Sequence, residues 1–189
     1  MKKPARGRFP AFPGAYREIS TERLLAVYEA APRRLGLALE GLGPKDLGAR
    51  VVPGKWTIGE IICHVADSEA VGWVRMRKAL AEPGAALPGY DQDRFAAGVG
   101  YADFDAALVR DTLDLFGRLR SISSRLLRRA PPGSWQSAGV HPEWGELTLR
   151  QLLELYADHG ERHLEQILER RQRLGQPLAM DRPLPVRLY

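Results

Sequence analysis

A chain of 189 residues, 44% hydrophobic and 27% charged, has the material for one packed domain rather than a disordered segment. It contains no run of eighteen apolar residues, which excludes a membrane-spanning helix, and its single cysteine, Cys63, excludes an internal disulfide. The net charge of +5 is unevenly placed: Lys2, Lys3, Arg6, Arg8 and Arg17 against Glu18 put +4 on residues 1–19 and leave +1 on the rest, which disfavours nucleic acid as a partner.

The N-terminal lysines are followed by no apolar stretch of the kind a secretion signal needs. With the lone thiol, this predicts a cytoplasmic protein. Residues 1–19, with three prolines, read as an irregular basic arm. A helix is expected from Ser20, with Leu24, Leu25, Val27, Tyr28, Ala31, Leu35, Leu39 and Leu42 at helical spacing. Pro32 lies within it and should kink or divide it near Ala31. Residues 41–55, rich in Gly and Pro, read as a loop.

Thr57-Ile58-Gly59-Glu60 has the form of a capping box and should open a second helix. Ile58, Ile61, Ile62, Val65, Ser68, Gly72, Trp73 and Met76 share its apolar face. Residues 82–102 form a long connection with room for a short helix at 91–97. A third helix is expected over 103–129, with Phe104, Leu108, Thr112, Leu115, Phe116, Leu119, Ile122 and Leu126 as its apolar side. Pro131 and Pro132 end it, and residues 131–146 read as a second long loop. Thr148-Leu149-Arg150-Gln151 is another capping box, opening a fourth helix on which Leu149, Leu152, Leu153, Tyr156, His159, His163, Ile167 and Leu168 form a stripe. The expected fold is all-α: an up-down-up-down four-helix bundle over residues 20–174, with long connecting loops and a proline-rich tail over 175–189. Loops of that length commonly cover one end of a bundle and carry function.

The chain has four histidines, and three of them fall in predicted helices. His159 and His163 are four residues apart, so they lie one above the other on one helix face and can reach one metal ion. Most such pairs are structural, and Gly160 stands where a zinc protease would place its glutamate, so that reading fails. His64 adds to the case. It follows its capping Thr57 by seven residues, while His159 and His163 follow Thr148 by eleven and fifteen. On second and fourth helices running parallel, these offsets give the three side chains similar heights. Three imidazoles leave a coordination position open for water or substrate, and protons should displace the ion below about pH 6. Three imidazoles suit zinc, nickel, copper and iron alike, so the residues leave the metal open.

The same residues resemble a known family. Trp56-Thr57-Ile58-Gly59-Glu60, followed by His64, Asp67 and Glu69, is similar to the DinB-like superfamily pattern W-[ST]-x-x-E-x-x-x-H-x-x-D-x-E. His141-Pro142-Glu143-Trp144-Gly145-Glu146 and His159-Gly160-Glu161-Arg162-His163 continue the likeness, within the YfiT-like group of metal-dependent hydrolases. The resemblance spans residues 18–175. It implies a four-helix bundle holding zinc or nickel on His64, His159 and His163, and a homodimer. It also implies either of two reactions on a small-molecule substrate. One is hydrolysis by a metal-activated water. The other is S-transfer or isomerisation with a metal-activated low-molecular-weight thiol of the bacillithiol, mycothiol or glutathione type.

Glu60 and Asp67, about one turn either side of His64, are candidates to orient an imidazole or to act as general base. The plainer readings are that Glu60 caps its helix and that Asp67 pairs with Arg75 or Arg162. Cys63 points about 100° away from His64 and reads as a core thiol. His141, beside Pro142 in a loop, is placed to cover the metal or supply a proton, though the plainer reading of a loop histidine is an exposed one. No phosphate loop and no Gly-x-Ser-x-Gly elbow appears. Three functional readings therefore stand: a metal-dependent enzyme, a non-catalytic metal-binding stress-related module with the same triad, and a nucleic-acid partner acting through the basic arm.

Overall fold

The computed structural model describes residues 16–184. Lys2, Lys3, Arg6 and Arg8 of the basic arm, and the last five residues of the tail, lie outside that range. Four long helices carry the fold: α1 (Thr21–Leu39), α3 (Ile58–Ala81), α5 (Ala106–Arg128) and α6 (Leu149–Arg173). Two shorter ones, α2 (Pro44–Gly48) and α4 (Gln92–Val99), lie in the connections, α2 within the stretch expected to be plain loop.

Both capping boxes form. Thr57 accepts from the Glu60 N–H at 3.2 Å and Glu60 Oε2 from the Thr57 N–H at 2.6 Å; Thr148 and Gln151 repeat this at 3.2 and 2.9 Å. Each pair satisfies N–H groups that a helix start otherwise leaves without a partner.

Pro32 does not divide α1, which runs unbroken through it. A helical proline normally orphans the carbonyl four residues back. Here that carbonyl, of Tyr28, accepts from Arg120 Nη1 at 2.8 Å. Arg120 is fully buried. Its Nε donates to Glu69 at 2.8 Å, its Nη2 to the Tyr156 carbonyl at 2.6 Å, and Glu69 also accepts from the Tyr28 hydroxyl. The guanidinium fits because Gly160 faces it: a β-carbon there would stand 3.0 Å from Arg120 Nη1 and 3.1 Å from Ala31. One cation thus ties all four long helices together at the centre of the bundle.

The order of directions differs from the expected alternation. α6 runs parallel to α1 (Arg34 to Glu161, Arg171 to the Ala38 carbonyl) and antiparallel to α3 (Arg170 to the Trp56 carbonyl, Arg75 to Tyr156). α5 runs parallel to α3, with Val109 near Gly59 and Arg120 on Glu69, and antiparallel to α1. The bundle is therefore up, down, down, up, with α1 and α3 on one diagonal and α5 and α6 on the other. Parallel α3 and α5 require the chain to return along a helix about 36 Å long, and residues 82–105 make that return.

The second long loop is also structured. A 3₁₀ turn at Pro132–Gln136 leads into an antiparallel hairpin of β1 (Ala138–His141) and β2 (Gly145–Thr148), with His141 opposite Gly145. The return segment joins it: Leu87 N–H donates to the Val140 carbonyl and Val140 N–H to the Ala85 carbonyl, both at 2.9 Å.

The apolar side of α5 is displaced from the expected one. Val109, Phe116, Arg120, Ser123, Ser124 and Leu127 are buried, whereas Leu108, Leu115 and Ile122 are 44%, 50% and 43% exposed. At both ends of the described range the chain packs on the bundle. Tyr16 is buried with its hydroxyl 2.5 Å from Asp158, and Leu184 is buried in the core cluster.

Candidate metal centre

The capping box of α3 fixes that helix's rotation, and Ile58, Ile61, Ile62 and Val65 seat it in the core. His64 then faces α6, where His159 and His163 stand one turn apart. His159 Nε2 lies 3.1 Å from His64 Nε2 and 3.1 Å from His163 Nε2. Among the described residues these three form the one group of histidine, cysteine and carboxylate side chains whose ligand atoms converge, all within 4.8 Å. They meet because α3 and α6 are antiparallel. The offset argument assumed parallel helices and reached the same residues by the wrong geometry.

The tautomers favour a cation. His163 Nδ1 is 3.0 Å from Gln166 Oε1, an acceptor, which puts the ring proton on Nδ1 and leaves a lone pair on Nε2. His64 Nδ1 lies 2.8 Å from the Tyr90 hydroxyl, which can accept in the same way. An Nε2–H on His159 can bond only one of its two neighbours at 3.1 Å, whereas a positive ion between the three nitrogens accepts a lone pair from each of them. Zinc–imidazole bonds of about 2.0–2.1 Å set tetrahedral nitrogens about 3.3–3.4 Å apart, close to what is found. Three imidazoles without thiolate or carboxylate form a donor set suited to zinc, nickel, copper or iron.

Burial keeps the ligands neutral. His64 is lowered to about 3, first by desolvation and then by the charge of Arg162. His159 and His163 are held well below the usual range, again by burial first and then by neighbouring histidines. Arg162, which adds to all three shifts, pairs with Asp158 at 3.2 Å. The Trp56 ring lies 4.6 Å from that of His64, and Tyr156 stands 6.4 Å from His159 on the other side. A cleft of about 350 Å³, lined in part by Lys55, Arg162, Gln166 and Arg170, borders the centre through Gln166.

The two carboxylate candidates do not touch the triad. Both oxygens of Glu60 are engaged, one in the cap and one by Arg50 at 2.8 Å. Burial alone would raise Glu60, but the Thr57 amide and Arg50 outweigh it and lower its pKa. Asp67 accepts from the Tyr101 hydroxyl rather than pairing with Arg75 or Arg162. The groups that do orient the ligands, Tyr90 and Gln166, were missed. Gln166 sits three residues after His163, a spacing that could have flagged it. Tyr90 reaches His64 through the return segment, which no local pattern reveals. Cys63 is a free, buried thiol pushed up to about 12, chiefly by burial. His141 is buried, not exposed, because the hairpin turns it inward.

The model of the DinB superfamily matches residues 28–167. The chain belongs to the DinB superfamily. Among its DinB relatives, a Bacillus mycoides protein named "Putative metal-dependent hydrolase" is 28% identical over 170 residues, covering 89% of this chain and 95% of the relative. YfiT of Bacillus subtilis, which carries the same name, is 27% identical over 155 residues, covering 82% and 85%. The solved YfiT structure, described as having an unusual four-helix bundle topology, superposes with a TM-score of 0.76 at 25% identity, over 92% of this chain and 94% of that one. A mycothiol-dependent maleylpyruvate isomerase shares the fold at 12% identity, with a TM-score of 0.65 over 80% of this chain and 62% of its own.

Proposed function

We propose that this DinB protein is a hydrolase whose centre, His64, His159 and His163, holds one divalent ion, zinc or nickel. The observation that carries the reading is the meeting of three neutral Nε2 atoms, two pairs of them 3.1 Å apart, in a chain similar to proteins named as metal-dependent hydrolases. A bound ion of this kind brings the pKa of a coordinated water toward 7 and polarises a carbonyl oxygen. The three imidazoles fix the ion and, as three ligands, leave room for the substrate. Tyr90 and Gln166 hold two of the rings by Nδ1, which keeps the lone pairs pointed inward. Trp56 and Tyr156 wall the centre and limit water around it.

The test is turnover of activated 4-nitrophenyl esters and anilides by zinc- and nickel-loaded protein, against chelated protein and His64→Ala. Metal-dependent hydrolysis lost in the variant supports the reading. Metal-dependent conjugation of glutathione, bacillithiol or mycothiol to an electrophile, with no hydrolysis, would replace it with S-transfer, the chemistry that the fold-level likeness to a mycothiol-dependent isomerase brings forward.

We also propose that a second copy of the chain docks on α5. Leu108, Thr112, Leu115, Leu119, Ile122 and Leu126 follow one another at spacings of four and three, the pattern of a coiled-coil seam. Its outer members are exposed. Two such helices packed antiparallel set Leu115 against Leu119, and Leu108 against Leu126, of the other copy. In the row flanking that seam, exposed Asp111 comes near exposed Arg125 of the other copy twice, on either side of an Arg118–Arg118 approach.

A further inference from the structure

His141 is 3% exposed and its ring is half-satisfied. Nδ1 accepts from the Glu143 N–H at 3.2 Å, so the neutral ring carries its proton on Nε2. That Nε2 is buried without a hydrogen-bond partner among the described residues. A buried donor left without an acceptor is costly, and native proteins keep few of them. Arg75 is the second anomaly. It is 7% exposed, with Nε on the Pro88 carbonyl and Nη1 on the Tyr156 hydroxyl, both at 2.9 Å, and no carboxylate among the described residues lies within ion-pair distance of it. Buried Arg120, by contrast, has Glu69.

The fold brings the two together beside the metal centre. Leu87 pairs with Val140, and Gly89 lies so close to Pro142 that a β-carbon on it would stand 2.9 Å from Pro142 Cγ. Pro88, whose carbonyl Arg75 holds, is therefore alongside His141. Arg75 is close enough for its charge to act on the His141 ring. One residue beyond Gly89, Tyr90 touches His64, and Tyr156, which Arg75 also holds, stands 6.4 Å from His159. Two buried donors, one of them cationic, thus sit behind the tyrosines that border the triad.

We propose that Arg75 and His141 are the anion-recognition end of the substrate site and take a substrate carboxylate. One oxygen accepts from the Arg75 guanidinium and the other from His141 Nε2–H. The substrate class is a small ester or amide that carries a carboxylate a few bonds from the carbonyl to be cleaved. This rests on the hydrolase reading for the reacting end, but the recognition end is testable without it.

The experiment is calorimetric titration of the full chain with glutarate and with neutral glutaramide, on zinc-loaded and on zinc-stripped protein. Glutarate should bind in both forms, and at least tenfold tighter than glutaramide. Arg75→Met and His141→Leu should each weaken it at least tenfold, while His141→Gln, which keeps a donor near Nε2, should restore most of it. Circular dichroism checks that each variant is folded. Should Arg75→Met not fold, the His141→Leu and His141→Gln comparison decides alone. Glutarate binding that needs zinc, or that survives both substitutions, overturns the proposal and leaves the metal reading standing. Inorganic phosphate binding tighter than glutarate overturns the carboxylate assignment. Glutarate binding as expected with no esterase activity upholds the subsite and removes the hydrolase.

Discussion

His64 and His159 are 95 residues apart in the chain, yet their Nε2 atoms stand 3.1 Å from each other. The contact exists because α3 and α6 run in opposite directions and both begin at capping boxes that fix their phase. Everything proposed for the centre depends on this convergence.

The residues behind the ligands should matter nearly as much as the ligands. Tyr90→Phe removes the group at His64 Nδ1, and Gln166→Leu the one at His163 Nδ1. Each should weaken metal affinity by about 10–100-fold while leaving the melting temperature of metal-free protein within a few degrees. Competition with a chromophoric chelator measures the first, and a thermal melt the second.

Acid should act through burial. His64 and His141 are both lowered to about 3, so each is neutral when folded and protonates near 6.5 when unfolded. Between those values the unfolded state binds more protons, so this stability is complete above about pH 6.5 and is lost as pH falls toward 3. The melting temperature of metal-free protein should therefore drop through that window, and less so in His141→Leu.

Arg120 should be the costliest single truncation in the bundle. Arg120→Ala leaves Glu69 buried without its partner and two helix carbonyls unsatisfied, a loss of about 3–5 kcal/mol in denaturant titration. Replacing Arg120 and Glu69 together by Met and Leu should cost much less.

If α5 is the docking face, Leu115→Asp should shift the protein to a monomer in sedimentation at micromolar concentration, with the fold retained. Asp111→Arg should weaken the dimer, and adding Arg125→Asp should recover it. A dimer unaffected by Leu115→Asp would move the interface elsewhere.

Much of this molecule was legible in local pattern. The two capping boxes gave the starts of α3 and α6, and the four-residue spacing gave His159 and His163; His64 was joined to them by an offset argument whose parallel-helix premise the fold does not meet. What was not legible is non-local. Pro32 reads as a break until Arg120, 88 residues later, supplies its carbonyl with a donor. The four-residue strands around His141 are too short for alternation to show, so a buried histidine read as an exposed one. The apolar side of α5 was assigned to the core because an exposed apolar row and a core-facing one have the same period, while the buried side holds Arg120 and two serines. The helix directions depend on a return segment whose path no periodicity encodes.

The measurement that bears most directly on the centre is metal content by elemental mass spectrometry, on protein purified without a histidine tag, for the native chain and for His64→Ala. The account predicts about one zinc or nickel per native chain and a near-complete loss in the variant, although His159 and His163 remain in place. Native protein that carries no metal and cannot be reloaded, or a His64→Ala protein with full occupancy, would contradict it.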